Sequence, residues 1–335
     1  MKNVIQLAHG SGGKLSHELV SAVIQPILGN PVLDQMHDAA AVCIQNTRLA
    51  FTTDSFVVKP LFFTGGDIGK LAVCGTVNDL AMTGAVPLFL TLGLIIEEGF
   101  SLDELERILH SMARAAGEAG VQIAAGDTKV VEKGAADGIF INTAGIGAIM
   151  EGVHISPLNA RPGQDIIING FLGEHALAVM QDRHGLTFPA SLNSDCAPLA
   201  GLVKEILTKV PEVAVLRDPT RGGLATALNE IALAAKVGML IEEEALPVST
   251  EVRAVCDILG FDPLYLANEG KMIVLSEHKN TENILTVLHN HPYGREARVI
   301  GKVTSQPAGQ VGLRTAIGGI RLLDMLTGDQ LPRIC

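Results

Sequence analysis

Residues 48–96 contain three segments in succession: RLAFTTDSFVV (48–58), GGDIGKLAVCGTVNDLAMTGA (65–85) and PLFLTLGLII (87–96). The first is rich in β-branched and aromatic residues and reads as a strand. The second reads as a glycine turn feeding a helix. The third is a strand candidate. The style then continues along the chain. SLDELERILHSMARAAGEAG (101–120) is the clearest helix. Ser101 and Glu104 fit a capping box, and Leu105, Ile108, Leu109, Met112 and Ala116 fall on one apolar face. VQIAA and IFINTAGIGAI (139–149) return to strand.

HISPLNARPGQD (154–165), with its proline and glycine punctuation, marks a domain boundary. Beyond it the order repeats: strand DIIING, helix HALAVMQD, strand VAVLRD, helix GGLATALNEIALAAK, strand MLIEE, helix TEVRAVCDILG. The fold expected is α/β, with two mixed α/β domains over residues 1–153 and 154–327. The remaining GDQLPRIC (328–335) contains Gly328 and Pro332, which discourage helix, so a mobile tail is expected. Fully extended, it spans roughly 20–25 Å.

Composition narrows the function classes. The sequence has 335 residues, of which 47% are hydrophobic, and a net charge of −11. There is no basic run, so nucleic acid and anionic membrane are poor partners. The five cysteines, Cys43, Cys74, Cys196, Cys256 and Cys335, form no CxxC pair, so neither a disulfide framework nor a zinc site is suggested. Four of them read as core residues, and Cys335 ends the sequence. MKNVIQLAHG lacks a signal pattern and no apolar run is long enough to span a bilayer, so a reduced, cytoplasmic protein is expected.

Five aspartates stand where strands or helices meet glycine or small residues: Asp38, Asp54, Asp79, Asp127 and Asp218. Any one alone reads most simply as a turn former or cap. Asp79 resists that reading, because helical steps place it on one face with Ile68, Ala72, Gly75 and Met82. A carboxylate on a buried face needs a partner or a cation. Oxygen-only clusters suit Mg²⁺, which bridges carboxylates to phosphates.

Glycine turns supply the other half of such a site. In RDPTRGGLATAL, Thr220 is placed to cap the helix, and Gly222 and Gly223 leave its first N–H groups open to an anion. HGSGGKL (9–15) is a second exposed-backbone loop, with Lys14 beside it; it is neither a Walker A loop nor a dinucleotide fingerprint. Lys129, just after Asp127, and Glu269, in LANEGKMIVL, read either as surface charges or as a phosphoryl-directed cation and a base. His175, in FLGEHALAV, is a weaker candidate base; a lone histidine there is more often structural.

HGSGGK, TTDSFVV, GGDIGKLAVCGTVNDLAMTGA, AGDTKVV, INTAGIG, RDPTRGG, NEGK and the terminal PRIC together resemble the HypE family of hydrogenase maturation proteins. The likeness runs from about His9 to Cys335. Single motifs also occur in aminoimidazole ribonucleotide and selenophosphate synthetases. One departure is His37, where relatives often carry a second Asp beside Asp38. The resemblance implies a homodimer in which N-terminal strands of two copies form a barrel, with ATP at the subunit interface. It implies that a HypF-like carbamoyltransferase loads a carbamoyl group onto Cys335. The chain would use ATP and Mg²⁺ to dehydrate that thiocarboxamide to a thiocyanate, and the cyanide would pass to iron on a HypC/HypD-like scaffold.

On this reading the catalytic residues are Cys335, Lys129 and Glu269, and the metal ligands are Asp38, Asp54, Asp79, Asp127 and Asp218. ATP contacts are expected at Ser11, Gly12, Gly13, Asn78, Gly126, Asp127, Thr220 and Gly222. The alternatives are a small-molecule ATP-dependent synthetase or kinase with an incidental terminal cysteine, or a non-catalytic scaffold.

Overall fold

The Ile68–Met82 helix lies between the two halves of the molecule. On one side it packs against the N-terminal sheet and the Leu102–Ala119 helix; on the other it meets the Ala200–Lys209 helix and the Val215–Arg217 strand. Nearly all its residues are buried, which is why it is apolar on every face rather than amphipathic. Asp67 starts it by accepting the backbone N–H groups of Gly69 and Lys70 at 2.8 and 3.1 Å. The computed structural model describes residues 4–186, 192–328, 331 and 333–335.

The N-terminal sheet has five strands in the order Ala40–Ile44, Thr47–Phe56, Ile139–Ile149, Ala85–Glu97, Gln122–Val131. All neighbours are antiparallel except the last pair. That parallel pair needs a crossover, and the Leu102–Ala119 helix supplies it. Ser101 caps this helix and Gly120, at φ +70°, ends it in the left-handed region. Ile108, Met112, Ala115 and Ala116 form its buried face, while Leu109 is exposed, contrary to the sequence expectation.

The C-terminal sheet has seven strands in the order Ile320–Leu323, Val311–Arg314, Gly238–Glu242, Arg298–Thr304, Asp165–Ile168, Ile273–Ser276, Val215–Arg217. Its central strands are covered on both faces. Ile167, Val274 and Leu216 join the core shared with the Ile68–Met82 helix. Ile166, Ile168 and Ile273 join a second core built with the Gly223–Ala235 helix. The period-two alternation of a strand thus serves two hydrophobic layers at once.

Several expectations need correction. The strand holding AGDTKVV continues to Val131 instead of ending near Asp127, and most of it is exposed as an edge. Glu269 lies in the loop before Ile273–Ser276, where LANEGKMIVL reads from sequence as opening a strand at Glu269 itself. Cys43 is exposed on the Ala40–Ile44 edge strand and is no core residue, whereas Cys74, Cys196 and Cys256 are buried. The helix Gly223–Ala235 begins at Gly222 with no side-chain cap, so Thr220 does not cap it. The barrel is expected across two copies, and within one chain the five-stranded sheet is accordingly open.

The tail expected to be mobile is docked where it is described; Asp329, Gln330 and Pro332 lie outside the described residues. Val57 N–H donates to the Cys335 carbonyl at 3.2 Å and Lys59 N–H to the Arg333 carbonyl at 3.3 Å. Arg333 Nε returns a bond to the Val57 carbonyl at 2.9 Å, and its guanidinium pairs with Asp137. The tail therefore lies along residues 57–59 through backbone pairing.

Candidate active site

The docked tail ends in a cavity of about 250 Å³ between the two halves. Each wall brings a carboxylate. Asp54 comes from the Thr47–Phe56 strand, Asp79 from the Ile68–Met82 helix, Asp38 from the loop before Ala40–Ile44, and Asp218 from the turn after Val215–Arg217. Carboxylate oxygens of Asp38, Asp79 and Asp218 all lie within 4.8 Å of one another. Thr52 Oγ1 lies 2.8 Å from Asp79 Oδ2 and 3.1 Å from the Asp38 carbonyl, tying two of them together.

This crowding is unfavourable without added positive charge. Burial, followed by repulsion from Asp54, Asp218 and Asp38, drives the Asp79 carboxyl well above its usual range. Burial likewise raises Asp38, against the pull of Arg217, and raises Asp54, against the pull of Arg221. Asp218 is pushed up to about 6, with burial again the largest cause. Arg217 reaches Asp38 Oδ1 at 2.8 Å but shares its charge with Glu230 at 2.5 Å. Asp38 Oδ2 is buried with no hydrogen-bond partner among the described residues. A buried, oxygen-only, under-neutralised donor set fits a hard divalent cation such as Mg²⁺. His37 adds no negative charge here: burial and Arg217 push it down to about 4, and its Nδ1 accepts the Asp38 N–H at 2.8 Å.

Glu269 faces the same cavity. It is 3% exposed and its Oε1 has no partner among the described residues. Burial, then the neighbouring Cys196, Asp195, Asp218 and Asp54, raise its carboxyl well above the ordinary value. Its backbone is held from behind. Asp195 accepts the N–H groups of Glu269 and Gly270 at 3.0 and 3.3 Å, and Asn78 donates to the Glu269 carbonyl at 3.3 Å. A Cβ on Gly270 would lie 1.9 Å from the Asp195 carbonyl oxygen, so only glycine fits there.

Cys335 completes the cavity. Burial pushes its thiol up to about 12; Arg221 opposes this, while Glu269, Asp54 and Asp218 reinforce it. The docked thiol is therefore protonated at neutral pH.

The residues expected from sequence divide into groups. Asp38, Asp54, Asp79, Asp218, Thr220, Glu269 and Cys335 come together around the cavity. Ser11 and Gly222 line a neighbouring pocket with Arg221. Gly12 and Gly13 pack so closely on Arg221 and Leu326 that a Cβ would lie 2.5 and 2.2 Å from the nearest atom. Asn78 is buried, and its amide holds the Ala197 and Glu269 carbonyls and the Leu199 N–H. Gly126, Asp127 and Lys129 stand apart on the exposed edge strand, where Lys129 pairs with Asp127. His175 is buried against the tail rather than facing the carboxylates.

Sequence reasoning missed Arg217, Arg221, Thr52 and Asp195. The first two stand inside RDPTRGG, but nothing in that string distinguishes a cavity arginine from a surface one. Asp195 lies in a loop whose role depends on a contact 74 residues away.

Comparison with known proteins adds an independent line. Residues 36–149 match the AIR synthase related protein N-terminal domain, and residues 161–314 match the corresponding C-terminal domain. The carbamoyl dehydratase HypE of Azotobacter vinelandii is 49% identical over 331 residues, covering 99% of this chain and 97% of that protein. A crystal structure of a HypE–HypF complex has a TM-score of 0.88 at 49% identity, covering 92% of this chain and 99% of that one. A crystal structure of hydrogenase maturation protein HypE in complex with ATP has a TM-score of 0.84 at 49% identity, covering 99% and 100%.

Proposed function

The chain belongs to the AIR synthase-related family and, within it, to the carbamoyl dehydratases HypE; from that premise we propose that it converts a carbamoyl group carried on Cys335 into a thiocyanate, using ATP. The observation that carries this reading is that Cys335, Glu269 and the aspartate cluster line one cavity. A free-metabolite synthetase gives no reason for the chain's own tail to fill its site, and a scaffold gives no reason to bury so many carboxylates.

The thiocarboxamide oxygen is a poor leaving group. Its attack on the γ-phosphorus of ATP expels ADP and leaves the oxygen as a phosphate ester. Loss of the nitrogen's protons then drives carbon–oxygen cleavage, releasing inorganic phosphate and leaving sulfur–carbon≡nitrogen. Glu269 is assigned as the base for nitrogen because it lines the same cavity as Cys335 and its Oε1 has no partner among the described residues. Asp38, Asp79 and Asp218, with Asp54 beside them, would hold Mg²⁺, which supplies charge neutralisation at the nucleotide phosphates. Ser11, Thr220 and Gly222 would contact the nucleotide, with the uncapped start of the Gly223–Ala235 helix offering N–H groups to phosphate.

Asp127 and Lys129 enter this scheme through a second copy of the chain. The open face of the five-stranded sheet exposes Phe51, Phe89 and Ile95, and by register Lys129 lies beside Ile95. Pairing two such faces in a homodimer buries this apolar surface and brings one copy's Asp127 and Lys129 towards the other's nucleotide. The carbamoyl donor is a HypF-like carbamoyltransferase, in line with the HypE–HypF complex. The cyanide acceptor is a HypC/HypD-like iron scaffold, in the cytoplasm. No helix among the described residues is long and apolar enough to cross a membrane.

Single-turnover release of ADP tests the reading. Carbamoyl-loaded chain should release ADP stoichiometrically, and Cys335→Ala should release none while still binding ATP. Equal ADP release by Cys335→Ala would redirect the search to a free metabolite.

A further inference from the structure

His175 is fully buried, and its ring makes two polar contacts. Nε2 lies 3.0 Å from the carbonyl oxygen of Ile334, the residue before Cys335. Nδ1 lies 2.8 Å from Ser194 Oγ. A carbonyl only accepts, so Nε2 carries the proton and Nδ1 accepts from the Ser194 hydroxyl. Ser194 Oγ in turn accepts the Cys196 N–H at 3.1 Å. Between those two stands Asp195, the buried carboxylate that holds the Glu269 and Gly270 N–H groups. An unbroken path therefore runs from the tail carbonyl, through one imidazole and one short loop, to the backbone of the base.

We propose that His175, acting with Ser194, is a positioning residue for the dehydration step: it latches the docked tail and sets the Cys335-borne group in register with Glu269. This rests on the function proposed above. Burial, the largest influence on His175, lowers its proton affinity and favours the neutral ring, in which Nε2–H donates to the tail and Nδ1 accepts from Ser194. The Phe63 ring stands edge-on to it, with centroids 5.4 Å apart and planes at 85°, so the imidazole is held laterally. When the tail leaves, the Nε2–H loses its protein acceptor, and undocking works against a buried donor left unpaired. A histidine that only filled the core would not be aimed at the one segment that carries the reacting thiol.

The test uses the full chain, and its first arm needs no carbamoyl chemistry. Cys335 alkylation by iodoacetamide is followed by peptide mass, with buried Cys74, Cys196 and Cys256 as internal references. His175→Phe should accelerate alkylation of Cys335 by about tenfold, the effect of one lost hydrogen bond, and leave the references unchanged. His175→Gln, which keeps a donor and an acceptor, should stay near wild type. In pre-loaded chain, His175→Phe should slow single-turnover dehydration without reducing loading. If all four thiols of His175→Phe react together, Ser194→Ala decides: acceleration at Cys335 alone supports the latch, and wild-type rates overturn it. Unchanged Cys335 reactivity in His175→Phe also overturns it. The alkylation result stands even if the chain proves not to be a dehydratase, so the two failures are distinguishable.

Discussion

Buried Glu269 and half-buried Asp79 are both carboxyls raised by their surroundings, and substituting either should impair the reaction for a different reason. Glu269→Gln keeps the shape of the loop and removes the base. Dehydration should fall by about 10²–10⁴-fold, the range for loss of a general base, while loading of Cys335 is retained. Accumulation of thiocarboxamide in the mass of the C-terminal peptide is the readout, and normal thiocyanate yield would remove Glu269 from the mechanism. Asp79→Asn relieves repulsion from Asp38, Asp54 and Asp218. In the metal-free chain it should raise the melting temperature by about 2–4 °C, the shift given by roughly 1 kcal/mol in a domain of this size. The same variant should lose the stabilisation that Mg²⁺ confers on the wild type. Differential scanning calorimetry with and without Mg²⁺ checks both signs.

At the scale of elements, the tail is held by backbone pairing to residues 57–59 and ends in a thiol that burial pushes up to about 12 from an ordinary value near 9. A thiol whose value is raised on docking favours the docked state in its protonated form. That contribution is complete below about pH 9 and fades as pH rises towards about 12. The docked fraction should therefore be constant at neutral pH and fall above about pH 9, read by limited proteolysis of the tail. In Cys335→Ser the fall should vanish.

The elements also show what sequence makes legible. Ser101 and Gly120 bracket a helix whose local signals agree with its fold, and the structure starts and ends it there. The aspartates that gather at the cavity were legible because Asp79 breaks the pattern of an apolar helix face and the others recur where strands meet glycine or small residues. The path from His175 through Ser194 and Asp195 to Glu269 was not legible, since its members are 19 and 74 residues apart and each is ordinary in its own segment. Asp127 and Lys129 show a different limit of the sequence: their motif suggests a place in the site, but within one chain they stand on an exposed edge, and which cavity they serve depends on a second copy.

For the whole molecule, that edge and the exposed Phe51 and Phe89 on the same sheet predict a dimer with shared sites. Phe89→Asp should sediment as a monomer and lose ATP turnover while its circular dichroism stays native. Mixing inactive Asp79→Asn with inactive Asp127→Ala should restore part of the activity, because one site of the mixed dimer then has both residues intact. No recovery from freshly mixed, exchanged subunits would place Asp127 outside the site.

The central claim is that one chain both carries the carbamoyl group and dehydrates it. The most direct measurement is the intact mass of the Cys335 peptide after incubation with the carbamoyltransferase, carbamoyl phosphate, Mg²⁺ and either ATP or an analogue whose β–γ bond cannot be cleaved, which still permits loading through a carbamoyl adenylate but not phosphoryl transfer. The account predicts a carbamoyl adduct on Cys335 that loses one water with ATP and persists with the analogue. An unmodified Cys335 beside a demonstrably active transferase, or an adduct that loses water equally with the analogue, would contradict it.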